Sequence, residues 1–317
     1  MSALVYSLNA TLPLFLIIML GYGLQRCHWF TKDFATACDK LVFHVTLPVT
    51  LFLNMASVDI RSDFHFPFVV FCFVSSLLSI LGIWLLTKMF LKDKTLTGEF
   101  IQAGYRSSAA ILGSALIQNL YGSSSYAPMM ILGSVPLYNL SAVLILSLGG
   151  KDTQSHNLTK HVLGTLLSLL CNPIIIGITL GSVTSYFRLG FPPIIANMMN
   201  KLAAVTNPLS LLSIGIGFQG FNAIRRLRPT VAITFIKLIL LPALFLPLAV
   251  WCGFADQELV AALVMLGGPT TFGCYIMAKN MGHEGVLTSS AVAVTTPLSA
   301  VTLTLWMFLL RTLHLVV

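Results

Sequence analysis

The sequence predicts an all-α membrane protein of ten transmembrane helices, built as two inverted five-helix repeats. Three observations predict this: too few charges to face water, ten apolar stretches long enough to cross a bilayer, and a pattern that recurs at one offset. Of 317 residues, 56% are hydrophobic and only 9% charged, with a mean hydropathy of +0.90. Soluble domains carry roughly 25% charged residues. The side chains must therefore face one another and the lipid bilayer.

The spans fall at about 5–24, 34–56, 65–88, 98–120, 126–149, 161–181, 191–218, 229–251, 257–279 and 285–310. Each is about long enough to cross ~30 Å of hydrocarbon at 1.5 Å per residue. The first has no Lys or Arg ahead of it and no small-residue cleavage pattern, so it reads as a retained span. The connections are short and hold no low-complexity linker, which predicts one membrane domain over 1–317.

Loop cations set the orientation. Arg26, Lys32, Lys88, Lys92, Lys94, Lys151, Lys160, Arg225, Arg226, Arg228 and Lys279 occupy or border the odd-numbered connections, against Arg61, Arg188 and Arg311 on the other side. Both termini are then non-cytoplasmic under the positive-inside rule, in the plasma membrane (the inner membrane of a bacterium). The net charge of +8 is explained by topology, "RRLR" at 225–228 included, and no nucleic-acid partner is implied. The six cysteines show no CxxC pair, so neither a metal site, a disulfide framework nor a cofactor is signalled.

"VTLPVTLF" at 45–52 in span two and "VTNPLSLL" at 205–212 in span seven share a pattern. Pro48 and Pro208, the expected kinks of those spans, lie 160 positions apart. The same shift lays Gly113 over Gly273 and residues 107–120 over 267–280; Pro136 and Pro297 match at 161. Repeat one is 1–150 and repeat two 151–317. Five spans per unit invert the second unit, an arrangement typical of secondary transporters that bind substrate at broken helices.

Span nine reads "GGPTTFGCYIMAKN" at 267–280, too small and polar for an unbroken helix. Gly267 and Gly268 permit a bend and close approach. Pro269 suits the first position of a second half-helix, and Thr270 and Thr271 add hydroxyls. In span four, Ser107 and Ser108 suit N-caps. A helix broken at midplane presents free N–H groups and about half a positive charge. Two such N-termini together make an anion site. Arg106 lies just before the break in span four, where a centred cation costs roughly 2.5–3.5 kcal/mol. With no carboxylate deep in any span, it meets a bound anion, snorkels or holds unwound carbonyls. Tyr138 and Asn139, in "PLYNL", are positioned to hydrogen-bond a substrate or another helix. Lys201 and Lys237 are expected to snorkel, Lys40 to mark the interface, and His44 to be an interhelical donor. Asp39 and Glu99 are expected to be solvated near the cytoplasmic boundary.

With "KLVFHVTLPVTLF" at 40–52, "NPLSLLSIG" at 207–215, "KLILLPALFLPLA" at 237–249 and "PTTFGCYIMAKNMG" at 269–282, the chain resembles the auxin efflux carrier family of permeases. That family includes plant PIN carriers and bacterial malate and malonate permeases. The sequence departs from it in span four, where Ser108 and Ala115 stand for the family's asparagine and proline, and in span nine at Gly273. The resemblance implies a fold like that of sodium/proton antiporters and bile-acid symporters, in which spans four and nine unwind and cross. Gly113, Gly267, Gly268 and Gly273 mark the breaks. It also implies a dimerising scaffold near 5–56 and 161–218, and an elevator-like transport domain near 65–149 and 229–310.

The function expected is secondary transport of small organic anions, mono- or dicarboxylates, with substrate at the crossing. The alternatives are a sodium- or proton-coupled organic-acid symporter and, from another class, a receptor or sensor without transport. No GxSxG, HExxH or paired aspartates support an enzyme.

Overall fold

The structure, a computed structural model, describes residues 2–57, 65–91, 93–109, 117, 121, 126–148, 172–218 and 226–316, with side chains from residue 12 onward. Among these, eleven α-helical segments are arranged in chain order: α1 (Ser2–Arg26), α2 (Lys32–Ala56), α3 (Phe66–Phe90), α4 (Thr97–Tyr105), α5 (Tyr126–Leu148), α6 (Pro173–Phe187), α7 (Pro193–Ile216), α8 (Leu227–Trp251), α9 (Gln257–Gly267), α10 (Gly273–Asn280) and α11 (Val286–Thr312). Five of them, α2, α3, α5, α8 and α11, are long and apolar enough to cross a membrane. Their outer faces expose large apolar side chains such as Leu85, Phe90, Trp251 and Phe308, as lipid contact requires.

Two helices carry one π-turn each, at Val42–Thr46 in α2 and Ile236–Leu240 in α8. Each turn ends two residues before a proline, Pro48 and Pro242. Proline donates no N–H and its ring clashes with the carbonyl four residues back; a wider turn relieves both. The expected distortion at Pro48 is thus a π-turn within a continuous helix. Pro208 lies inside α7, which also stays continuous. Span six differs from expectation. Asn172 is extended, and its side chain accepts from the Ile174 N–H at 2.9 Å to start α6 at Pro173.

Close helix contacts depend on glycine. A Cβ on Gly21 of α1 would lie 2.4 Å from the Leu212 carbonyl oxygen of α7, and one on Gly181 of α6 would lie 2.4 Å from the Phe52 carbonyl oxygen of α2. The interfaces α1–α7 and α6–α2 therefore need small residues for backbone approach. These contacts exchange partners at one offset: Gly181 follows Gly21 by 160 positions, and Leu212 follows Phe52 by 160. Helix starts echo it, with Thr97 and Gln257 160 apart.

Candidate functional site

The chain leaves helical geometry at two places that meet. After α4, Arg106 is extended (φ −72°, ψ 118°); after α9, Gly268 is extended (φ −68°, ψ 160°). Ser107 and Thr270 then pair as an antiparallel bridge. Ser108 N–H donates to the Pro269 carbonyl at 3.0 Å, and Thr271 N–H to the Arg106 carbonyl at 3.4 Å. Ser107 thus stands opposite Thr270, an antiparallel pairing that the 160-residue repeat does not itself specify. Gly113 lies outside the described residues.

Each broken strand caps the other's helix. Ser107 Oγ donates to the Val264 carbonyl of α9 at 2.9 Å, and Thr270 Oγ1 donates to the Ala103 carbonyl of α4 at 2.9 Å. Carbonyls in the last turns of both helices thereby gain side-chain donors, Val264 in addition to the Gly268 N–H that it accepts at 2.9 Å. This corrects one expectation: Pro269 lies in the extended strand rather than opening the next helix, which starts at Gly273. Ser107 Oγ serves the α9 C-terminus, and the half-helix that it and Ser108 are expected to cap lies outside the described residues. Gly268 is required by this arrangement, since a Cβ there would stand 2.5 Å from both Ser107 Oγ and the Val264 carbonyl oxygen. A Cβ on Gly267 would stand 2.7 Å from the Pro242 ring.

Arg106 is 4% exposed. Its Nη2 donates to Asn139 Oδ1 at 2.7 Å and its Nη1 to the Met277 sulfur, while Nε has no partner. Among the described residues, no carboxylate lies within ion-pair distance of it. The guanidinium borders a cavity of about 60 Å³ lined also by Thr50, Asn54, Ser108, Tyr138, Asn139, Thr271 and Gly273. A Cβ on Gly273 would come within 3.3 Å of Nη2. Because α10 begins at Gly273, its positive end faces the same cavity. Tyr138 is buried, and its carbonyl accepts from Tyr105 Oη at 3.0 Å. A second cavity of about 20 Å³ lies against Ser108, Pro269 and Thr270, bordered by Asn207, whose Oδ1 is unpaired.

Sequence reasoning missed several partners. Lys237 does not snorkel: it is fully buried, and Nζ donates to the Tyr105 carbonyl at 2.7 Å, an amine capping the C-terminal end of α4. Thr295 Oγ1 accepts from the Thr270 N–H at 3.0 Å, and Gln102 Nε2 donates to the Cys274 carbonyl at 3.0 Å. Glu99 and Asp39 are not solvated; each is 1% exposed. Glu99 accepts from the N–H groups of Gly285 (2.9 Å) and Thr288 (3.1 Å), capping α11 from α4. Asp39 accepts from Ser213 Oγ of α7 and from Tyr275 Oη of α10 at 3.0 Å. His44, Lys40 and Lys201 are exposed. No metal-ligating cluster occurs among the described residues.

A broken helix pair, a buried unpaired cation and lipid-facing helices are what a carrier needs, and a family-level comparison decides the class. The sequence profile described as "membrane transport protein" matches residues 6–307. The chain belongs to that family of PIN-like permeases. It is 22% identical to the uncharacterized transporter YfdV of Escherichia coli K12 over 97% of this chain and 99% of that one. It is also 22% identical to the uncharacterized transporter MJ1031 of Methanocaldococcus jannaschii, over 96% and 98%. The transporter is accordingly a multi-pass membrane protein.

Proposed function

We propose that this transporter is a secondary carrier of small organic anions, mono- or dicarboxylates, bound where the breaks after α4 and α9 cross. The observation that carries this reading is Arg106: a buried guanidinium with a free Nε, no carboxylate partner among the described residues, and a cavity beside it. A carboxylate there would supply the missing acceptors, and the positive end of α10 would add to its stabilisation. Ser108, Tyr138, Asn139 and Thr271 border the same space; Pro269 and Thr270 border the smaller cavity behind it.

About 60 Å³ holds roughly two waters, well below the ~300–1,000 Å³ of drug-sized sites. The site must therefore widen to admit substrate. In the elevator reading, α1, α2, α6 and α7 stay fixed, dimerise and guide the remaining helices. The glycine-mediated α1–α7 and α6–α2 contacts and the 160-residue spacing support this division into two inverted five-span units; the loop cations are what support non-cytoplasmic termini. A proton-coupled symporter is the second reading, favoured by the buried Asp39 between α2, α7 and α10.

Counterflow in proteoliposomes, with labelled small carboxylates and no ion gradient, tests the first reading. Saturable exchange of one compound is expected. Silence across the panel from folded protein would exclude the organic-anion assignment, and uptake that requires a pH gradient would favour the second.

A further inference from the structure

A cavity of about 530 Å³, far larger than the one at Arg106, opens between the end of α3, the start of α4 and the start of α8. Its walls are apolar: Leu86, Leu91, Leu96, Phe100, Ala232 and Ile236. Its mouth is charged, with Arg226, Arg228 and Asp93. Around it the helix ends expose Met89, Phe90, Leu227 and Val231, each more than half exposed. The cavity thus lies where lipid-facing helix surface meets loop, on the face that carries most loop cations.

Among the residues that line the cavity, two arginines, Arg226 and Arg228, stand against one carboxylate, Asp93. Arg226 pairs with Asp93 at 2.8 Å; Glu284, which is exposed and does not line the cavity, reaches Arg226 at 3.4 Å. Thr95's hydrogen bonds and Arg226 hold the Asp93 carboxyl below the usual carboxylate range, so it is ionised and committed to that pair. Arg228 is exposed and has no hydrogen-bond or ion-pair partner among the described residues. An apolar slot with one unmatched cation at its rim fits an amphiphile carrying one net negative charge.

We propose that this cavity holds one anionic phospholipid, an acyl chain lying between α3, α4 and α8 and the phosphate on Arg228. Basic pockets between membrane helices commonly take anionic headgroups. A zwitterionic lipid would bring a second cation to a rim whose carboxylates are already paired. A soluble phosphate would use the arginine and leave the apolar walls without a ligand. Because the slot joins α3, α4 and α8, its occupant would brace the helices that lead into the crossing.

The test is native mass spectrometry of the delipidated full-length transporter, titrated with dioleoylphosphatidylglycerol, dioleoylphosphatidylcholine or inorganic phosphate. Phosphatidylglycerol should bind at least about fivefold more tightly than phosphatidylcholine, and R228Q should remove about that factor, as one interfacial cation is worth ~1 kcal/mol. Filling the slot with Ala232→Phe should weaken both lipids. Lys88→Gln is the control for general surface charge, because Lys88 stacks 3.8 Å over the Trp84 ring and does not line the cavity. Equal binding of the two lipids, equal losses in R228Q and K88Q, or displacement of the lipid by millimolar inorganic phosphate would each overturn the proposal. R228Q changes only an exposed side chain, so it remains informative if A232F fails to fold.

Discussion

Arg106 and Glu99 are both buried charges, yet their surroundings assign them opposite duties. Glu99 is saturated by Gly285 and Thr288, whereas Arg106 keeps a free Nε beside a cavity. Arg106→Ala should lower counterflow by roughly 10- to 100-fold, the weight of a charged hydrogen bond of ~1.5–3 kcal/mol. Arg106→Lys should restore part of it, since lysine keeps the charge and loses the fork. Normal transport by a monodisperse R106A protein would remove the arginine from substrate binding. Glu99→Ala should instead lower the melting temperature, because two buried N–H groups lose their acceptor at ~1–3 kcal/mol each. Glu99→Gln, which keeps one acceptor oxygen, should fall between. Arg106 was legible in the sequence because a cation in an apolar run stands out. Glu99, Asp39 and Lys237 were misread because distance from a predicted membrane edge says nothing about lateral burial. Their partners lie more than 130 positions away, and no local pattern encodes that.

At the scale of elements, the two breaks stabilise each other. Ser107 and Thr270 satisfy carbonyls of the opposite helix while bridging backbone to backbone. The small, polar composition of 107–108 and 267–271 revealed where helices stop. It did not reveal which end each hydroxyl serves, because N-caps and C-terminal donors use the same residues. Which residues meet is also tertiary information: the 160-residue repeat does not say that Ser107 stands opposite Thr270, and the antiparallel bridge does. Gly268→Ala should disrupt this junction, since its Cβ would meet two oxygens at 2.5 Å. Gly23→Ala in α1, where nothing lies within 4 Å of the added carbon, should be neutral or slightly stabilising by helix propensity. Comparing the two melting temperatures isolates the crossing; equal values would mean that the junction tolerates a wider separation.

Across the whole molecule, the polar contacts of Asp39 mark a seam. Asp39 on α2 bonds to Ser213 of α7 and also to Tyr275 of α10, while Asn280 of α10 donates to the Asp39 carbonyl at 3.3 Å. If α10 travels with the crossing while α2 and α7 stay fixed, the Tyr275 and Asn280 bonds must break in each cycle and the Ser213 bond need not. The state described here is then held partly by Tyr275. Tyr275→Phe keeps the ring and deletes one charged hydrogen bond, so the alternative state should gain roughly tenfold or more in population. Spin labels at Asp33→Cys on α2 and Glu284→Cys beyond α10, in a background without the exposed Cys27 and Cys252, can read this as a distance distribution. Two populations are expected, with the second enlarged by Tyr275→Phe and shifted by whichever carboxylate exchanges in counterflow. A single distance, unmoved by either the mutation or the substrate, would mean that α10 and α2 move together. The seam at Asp39 would then be a static joint, and the widening of the Arg106 cavity would have to come from local motion of α5 or of the crossing strands.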